Sequence, residues 1–304
     1  MGIIKAFSGA ISSTLEDQWI DAFTVEPFDE YTAVMPSSQL YDNYSRGTEN
    51  KKSEGVITNG SKIFVPENTA AVIMNQSGIE EILVEAGGYE YFAGQESILF
   101  DGTFESAIVD QALERFTTGG VSTEQKKILF INLKEIRDIK YGTQGPQVYH
   151  DKSYDVDLEV RAYGNFTVKI VRPDIFIKEY LPANCNYYSF EDPKAKAQLV
   201  AEILQAFIST LNKLTENYPA SSLPSLAADI SEEIKNNPNL TCWTERYGIQ
   251  LENVTVQNIE FTEDSRELVK QYASNRMNVK AYDGVSRESA DIAAQQNISQ
   301  GVVG

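Results

Sequence analysis

The sequence predicts an α+β fold: a mixed, largely antiparallel β-rich domain with packed helices, preceded by an N-terminal amphipathic helix and followed by a helical tail. Two changes of hydrophobic period support this prediction. Residues 61–181 contain alternating apolar and polar runs that are typical of strands, and residues 192–236 follow the 3.6-residue period of helices. Alternation returns at 249–261 and predicts one strand that closes the domain.

The first 24 residues predict the amphipathic helix. Apolar residues recur at every fourth position, with one more apolar residue beside them: Ile3, Phe7, Ile11, Leu15, Trp19 and Phe23, widened by Ile4. Such a stripe must be covered by a membrane interface, a partner subunit or the protein's own body. Aromatic side chains suit the lipid headgroup boundary, so these seven residues are the predicted contacts with membrane or partner. Acidic residues outnumber Lys5 in this helix, so lipid binding would be hydrophobic, weak per copy and dependent on many copies.

The predicted domain boundaries follow the same patterns. They are 1–27 for the N-terminal helix, 28–60 for a turn-rich linker or loop, 61–263 for the main domain and 264–304 for a C-terminal helix and flexible tail. The main domain divides into a β-rich part at 61–181, a helical part at 182–248 and the closing strand at 249–261.

The β-rich part gives the clearest strand signals. Apolar runs predict strands at 63–65, 70–74, 82–84 and 127–133, and apolar spacing at 104–116 is compatible with a short helix. Alternation is strict from Tyr154 to Tyr163 and is followed by Gly164-Asn165 and a second run to Val171. This pattern predicts a hairpin that turns at Gly164-Asn165 and has one solvated face.

The helical part begins with a clear start signal. Asp192 is the predicted N-cap and Pro193 the first helical residue of a long helix that ends near Asn217. A second helix is predicted at 223–236, and Gly248 is placed just past the end of a third. The phase of the alternation slips twice within 249–261, which predicts bulges, and Asp264 is the predicted cap of the last helix.

Composition argues against several classes of function. The chain has 304 residues and a net charge of -18, which disfavours nucleic-acid binding because phosphate contacts need clustered Lys and Arg. The N-terminus lacks the pattern of a secretory signal, and no apolar run approaches the roughly 20 residues that span a bilayer. Cys185 and Cys242 form no metal-binding spacing. The sequence therefore predicts a soluble or peripheral protein with no cofactor and no metal.

The sequence does not predict an enzyme. His150 is the only histidine, which excludes a His-Glu-x-x-His zinc site, and nucleophile-elbow, dinucleotide-binding and Walker A patterns are absent from the sequence. Asp155-x-Asp157 is the one hint of a calcium site and lies in a predicted strand. A hydrolase that uses His150 is kept as one functional hypothesis, beside the scaffold and the adaptor described below. Tyr187 and Tyr188 are candidate contacts with a neighbouring subunit.

Several segments resemble one family. Glu245-Arg246-Tyr247-Gly248-Ile249, followed by Val254-x-Val256-x-x-Ile259, is similar to the closing strand of the band 7, or SPFH, domain of stomatins, prohibitins and flotillins. Residues 63–72 look like its opening hairpin. Residues 130–136, 141–143 and 157–164, together with Asp17-Gln18-Trp19 in the first helix, resemble a bacterial subgroup of stomatin-like proteins called "virion core protein-like". The resemblance covers about residues 1–285.

The resemblance implies a domain on the cytoplasmic face of a membrane that forms homo-oligomers and organises unidentified membrane or stress-response proteins. Members of the subgroup are associated with envelope-stress and phage-shock-type systems. The sequence shows neither the Cys-rich zinc ribbon of many relatives nor a long coiled coil. We therefore expect a non-enzymatic peripheral membrane scaffold on the inner face of the cell membrane, whose 192–236 helices contact neighbouring copies. The alternative is a soluble adaptor whose N-terminal helix docks on a partner protein.

Overall fold

The computed structural model describes residues 21–41, 57, 60–92, 98–100, 126–152, 155–275 and 277. The chain divides into two compact units. Unit 1 comprises Met1–Lys140, Asn165–Ile203 and Lys235–Val254, and unit 2 comprises Tyr141–Gly164, Leu204–Ile234 and Thr255–Gly304. The predicted mixture of largely antiparallel sheets and helices is confirmed.

Unit 1 contains two five-stranded sheets. The first is built from β1 (Ala22–Thr24), β3 (Ser38–Tyr41), β4 (Lys62–Val65), β7 (Gly87–Glu90) and β8 (Ile98–Phe100), in the order β3-β1-β4-β7-β8. The second is built from β2 (Thr32–Pro36), β5 (Thr69–Asn75), β6 (Gly78–Leu83), β9 (Lys127–Asn132) and β13 (Tyr188–Ser189), in the order β13-β2-β9-β5-β6. The pairing of β1 with β4 is parallel.

Apolar residues from both sheets form the core of unit 1. The cluster consists of Phe23, Val25, Ile57, Ile63, Val65, Ala71, Ile73, Leu83, Tyr89, Tyr91, Ile128 and Phe130. Full burial of each large apolar side chain contributes about 1.5–3 kcal/mol, before the cost of ordering the chain. This core therefore supplies the main driving force for folding of unit 1.

Two predicted boundaries are wrong at their edges. Residues 22–24 form β1 and not the end of a 1–27 helix, because Phe23 pairs with Ile63 on β4 and is fully buried. The predicted 28–60 linker contains β2 and β3, and β2 pairs with β9 far along the chain. The predicted helices at residues 1–20 and 104–116 lie outside the described residues.

A third sheet contains the longest strands. It consists of β10 (Glu135–Gly142), β11 (Gln147–Asp151), β12 (Val156–Ile170) and β14 (Ile249–Phe261), in the order β10-β12-β11 with β14 also paired to β12. The predicted turn at Gly164-Asn165 is wrong, since β12 is one continuous strand of 15 residues. Every second residue of β12 is buried, without a break in the alternation. The buried residues are Leu158, Val160, Ala162, Gly164, Phe166, Val168 and Ile170.

Gly164 has a packing role in place of the predicted turn. A Cβ at this position would lie 1.9 Å from the carbonyl oxygen of Thr255, far inside any allowed contact. The same carbonyl accepts a hydrogen bond from Tyr141 Oη at 3.4 Å, and burial raises the pKa of Tyr141, so its hydroxyl stays protonated. Gly164 is therefore required for the close approach of two backbones within unit 2.

The helices confirm most of the predicted pattern. They are α1 (Pro173–Ile175) with a π-helical turn (Phe176–Tyr180), α2 (Pro193–Leu214), a 3-10 helix (Ala220–Leu226), α3 (Ala227–Lys235), α4 (Pro238–Thr241), α5 (Trp243–Tyr247) and α6 (263–275). Asp192 Oδ1 accepts the Lys194 N–H at 2.9 Å, as a cap does. The start of the last helix differs from the prediction. The Thr262 carbonyl accepts the first hydrogen bond of the helix, from the Arg266 N–H. Thr262 therefore occupies the capping position that was predicted for Asp264.

Side-chain hydrogen bonds hold the parts of unit 2 together. Tyr149 Oη donates to the Tyr218 carbonyl at 2.7 Å, and the fully buried carboxylate of Asp151 accepts the Ala220 N–H at 2.6 Å. Burial raises the pKa of Tyr149 to about 12, so this donor is protonated at neutral pH. These bonds fix the end of α2 and the 3-10 helix against β11.

The substitution Gly164→Ala tests the close approach. It should lower the free energy of unfolding by on the order of 3 kcal/mol, because the new methyl group overlaps the Thr255 carbonyl. Gly145→Ala in the same unit is the matched control, since a Cβ there would meet nothing within 4 Å. Urea denaturation of both variants gives the comparison. Equal midpoints would contradict the packing role of Gly164.

Candidate interaction site

The predicted contact residues fall into two groups. Ile3, Ile4, Phe7, Ile11, Leu15 and Trp19 lie outside the described residues. Phe23 lies in β1 with 0% of its surface exposed, so it packs in the core and is not a contact for lipid or a partner. Its prediction was wrong because the i, i+4 spacing continues by chance into a strand whose pairing partner is about 40 residues away.

The described part of unit 1 contains a groove of about 910 Å³. Its walls are the end of β2 at residues 36–37, the turn at 74–78, the start of β9 at 126–129, and the loop 181–186 with Ile177. This volume is within the range of about 300–1,000 Å³ that is typical of ligand sites. Sequence reasoning missed the groove, because its walls come from four separated segments.

The lining of the groove departs from the composition of the chain. The protein has 44 acidic and 26 basic residues, yet the described lining residues include Lys126 and Lys127 and no Asp or Glu. The other polar lining residues are amides, two serines and Cys185, and the apolar ones include Ile128, Leu129 and Leu181. The groove is therefore a neutral to basic site on an acidic protein.

Lys126 is tied to its surroundings. Its Nζ donates to Glu80 Oε1 at 2.8 Å and to Tyr91 Oη at 2.6 Å, and Tyr91 Oη donates to the same Glu80 oxygen at 2.9 Å. Burial alone would lower the pKa of Lys126, but the hydrogen bonds to Glu80 and Tyr91 outweigh burial and raise it. Lys126 is thus a charged residue whose charge Glu80 compensates, and its role is to fix the wall of the groove.

Lys127 differs from its neighbour. Its Nζ donates to the neutral amide oxygen of Asn186 at 2.9 Å. No carboxylate of the described residues lies within 4.0 Å of this ammonium group. Lys127 therefore brings a positive charge to the groove that the described chain does not neutralise, and it joins the β9 wall to the loop wall.

The two tyrosines predicted to contact a neighbouring subunit have different environments. Tyr187 is 53% exposed, with its Oη 3.1 Å from Thr32 Oγ1. Tyr188 is half-buried and donates from Oη to the Ala195 carbonyl at 3.0 Å, and burial raises its pKa to about 12. Tyr187 is accessible to a partner, whereas Tyr188 is committed to contacts inside unit 1.

Tyr180 is the centre of an aromatic cluster behind the groove loop. Its ring centroid lies 5.2–6.3 Å from those of Phe176, Tyr188, Phe190 and Tyr247. Edge-to-face and offset pairs of this kind contribute about 0.5–1.5 kcal/mol each beyond burial. The cluster therefore holds the chain on both sides of the loop 181–186 in place.

Glu202 on α2 joins the segment that resembles the closing strand to the rest of unit 1. Its carboxylate accepts hydrogen bonds from Trp243 Nε1 at 2.7 Å, from Tyr247 Oη at 2.9 Å, from both Nη atoms of Arg246 at 3.0 and 3.2 Å, and from Gln198 Nε2 at 2.7 Å. Burial alone would raise the pKa of Glu202, but these hydrogen bonds outweigh it and lower the pKa. The sequence indicated Arg246 and Tyr247 as a motif, but not their common partner.

His150 lies in β11 beside an acidic residue. Its side chain is about half exposed, and Nδ1 is 2.8 Å from Oδ1 of Asp157 on the neighbouring strand. Asp155 has a left-handed φ of 51° before β12. Within the described ranges, no group of three or more His, Cys, Asp or Glu residues is placed to hold a metal ion. His150 and Asp157 form a contact at the protein surface, and such pairs contribute about 0–1 kcal/mol to stability.

The Glu202 cluster predicts a pH-dependent stability. Because its pKa is lowered in the folded state, the ionised carboxylate stabilises the fold above the unfolded pKa, and this stability is lost as the pH falls through the folded pKa. Glu202→Gln should therefore destabilise the protein by about 1–3 kcal/mol near neutral pH and by less in acid.

Thermal denaturation from pH 7 down to about pH 2 measures this effect, because the loss of stability begins near the ordinary glutamate pKa and continues through the lowered folded pKa. The matched control is Glu232→Gln on α3, an exposed residue that should shift stability by about 0.5 kcal/mol at most. A loss of stability in Glu202→Gln that is the same at every pH would contradict the electrostatic account.

Comparison with known proteins places the chain in a family. No curated protein matches it. Among the described residues, no helix combines the length and the apolar character needed to cross a bilayer. The model of the SPFH domain-Band 7 family matches residues 49–277, well over half of the chain, and this range includes the groove walls 74–78, 126–129 and 181–186, Glu202 and the 245–261 segment. The chain therefore belongs to the SPFH domain-Band 7 family.

Proposed function

We propose that the chain is a non-enzymatic peripheral membrane scaffold that self-assembles and organises partner membrane proteins on the inner face of the cell membrane. The observation that carries this proposal is the family match over residues 49–277, since proteins of the family are generally membrane-associated scaffolds. The absence of the common catalytic motifs from the sequence is compatible with it.

We assign the contact with lipid to the apolar stripe from Ile3 to Trp19, without Phe23, because Phe23 is buried in the core. Strand β1 begins at Ala22, three residues after Trp19. Because β1 follows the stripe directly along the chain, a lipid-bound stripe would bring the start of β1 near the membrane surface.

Charge sets the mode of binding. A net charge of -18 opposes attraction to an anionic membrane, so the free energy of binding must come from burial of the apolar stripe. One short stripe gives weak, reversible binding. Self-assembly would present many stripes on one surface, which raises the effective affinity without any new contact.

We also propose that the chain belongs to the bacterial "virion core protein-like" stomatin subgroup and acts in an envelope-stress response. Two of the segments that support this assignment have structural roles in unit 2. Thr143 donates its N–H to the Ala162 carbonyl at 2.9 Å and accepts the Ala162 N–H on Oγ1 at 3.2 Å. Gly164 has no side chain and therefore leaves room for the Thr255 carbonyl against the backbone.

The second candidate is the soluble adaptor. The observation that favours it is the excess of acidic residues over Lys5 in the first 27 residues, which disfavours an anionic lipid surface and suits a groove on another protein. In this case the isolated chain would not bind lipid, although binding to its partner would depend on the same apolar residues.

Liposome flotation tests the membrane proposal. Phe7→Glu and Trp19→Glu should each release the full-length protein from vesicles, because each places a charge on the apolar stripe. Ser13→Glu, which falls on the opposite side of the same predicted helix, adds the same charge and should leave flotation unchanged.

Three results would decide between the candidates. Loss of flotation in the stripe variants alone supports the scaffold. Unchanged flotation in all three variants would sink the proposed lipid contact. Absence of flotation for the unmodified protein, combined with a stable oligomer by light scattering, would favour the adaptor. Phe23 is unsuitable for this test, because its substitution would disrupt the core.

A further inference from the structure

We propose that the groove of unit 1 binds an acidic, extended segment of a partner protein, with Lys127 as the residue that pairs with its carboxylate. This inference goes beyond the scaffold proposal and does not depend on membrane binding. It rests on the charge of the groove, on its mixed polar and apolar walls, and on the rigidity of those walls.

The charge argument comes from the contrast with the whole chain. Acidic residues exceed basic ones by 18 overall, but the described lining of the groove has two lysines and no carboxylate. Lys126 is compensated by Glu80, so the positive charge that no described carboxylate compensates in the groove is that of Lys127. An acidic ligand would replace the neutral Asn186 oxygen at Lys127 by a carboxylate oxygen, which adds the attraction between opposite charges to the hydrogen bond.

The walls fit a peptide better than a lipid surface. Apolar side chains such as Ile128 and Leu181 can receive an aliphatic side chain, and Asn75, Gln76 and Asn184 can pair with peptide N–H and C=O groups. A peptide segment enters the groove alone, whereas an anionic membrane would bring its whole surface against a protein of net charge -18. The observations therefore favour a linear segment.

The walls are preformed. The Cys185 N–H donates to the Pro182 carbonyl at 3.1 Å, and Cys185 Sγ to the Tyr187 carbonyl at 2.9 Å, which closes the loop on itself. On the opposite side, the Ser77 N–H donates to Asn75 Oδ1 at 2.8 Å and fixes the β5–β6 turn. A rigid groove reduces the entropy lost on binding.

Fluorescence polarisation with the full chain tests the inference. The probes are three labelled peptides of about eight residues, enough for an extended segment of roughly 25 Å, in which Leu alternates with Glu, Gln or Lys. We expect the Glu peptide to bind at least about tenfold more tightly than the Lys peptide, and its binding to weaken as salt is added.

Two variants locate the site. Lys127→Glu should weaken binding of the Glu peptide at least about tenfold, whereas Lys152→Glu, an exposed charge reversal in unit 2, should change it by less than about twofold. Ala183→Phe fills the groove without a change of charge and should weaken binding of both the Glu and Gln peptides. It keeps the test decisive if Lys127→Glu fails to fold.

Several outcomes would overturn the inference. These are equal affinity for the Glu and Lys peptides, no binding of the Glu peptide at millimolar concentration, or equal weakening by Lys127→Glu and Lys152→Glu. Displacement of the peptide by an equal concentration of free glutamate would also overturn it, because the site would then take a small carboxylate and not a peptide. The assay contains no lipid, so its failure leaves the flotation result intact.

Discussion

The helical side of unit 1 depends on one backbone contact at Gly248. Its φ is +70°, and a Cβ there would lie 2.2 Å from the Arg172 carbonyl oxygen and 2.7 Å from the Phe176 nitrogen. The N–H groups of Val171 and Arg172 both donate to the Gly248 carbonyl, at 3.0 and 3.1 Å. The chain that leaves β12 and the chain that enters β14 are therefore joined through backbone atoms with no room for a side chain, and glycine alone meets both the steric and the conformational demand.

The groove follows from this contact along the chain. The Arg172 carbonyl accepts the Phe176 N–H, the Phe176 carbonyl accepts the Leu181 N–H, and residues 177 and 181–186 then form one wall. Glu202 adds a second constraint. Its carboxylate binds the side chains of Arg246 and Tyr247, the two residues just before Gly248. The segment 245–249, which resembles the start of the family's closing strand, thus connects two parts of the backbone of unit 1. Its residues set the position of the groove wall without lining the groove.

Local signals predicted the elements whose partners are near in sequence, and failed where the partner is distant. Asp192, Pro193 and Gly248 were read correctly, since caps and left-handed glycines depend on a few neighbouring residues. Phe23, β2 and Glu202 were misread or missed, because their partners at Ile63, β9 and Arg246 lie about 40–100 residues away. Gly164 is different, since a two-residue turn there would have reversed the alternation, whereas Ala162, Phe166 and Val168 keep one parity. The sequence therefore contained the evidence against a hairpin, and the turn propensity of Gly-Asn outweighed it.

The acidic character of the chain separates the two proposed contacts physically. The N-terminal stripe would bind by burial of apolar surface, and the charged residues beside it oppose an anionic membrane, so added salt should leave this contact unchanged or strengthen it. The groove would bind through the charge of Lys127, and salt screens an exposed ion pair over about 10 Å at 0.1 M. A scaffold with these two surfaces can hold lipid and a partner segment independently, because the free energies come from different sources. A single ionic-strength series on the intact protein would then resolve them, since only the affinity of the groove should fall as salt is added.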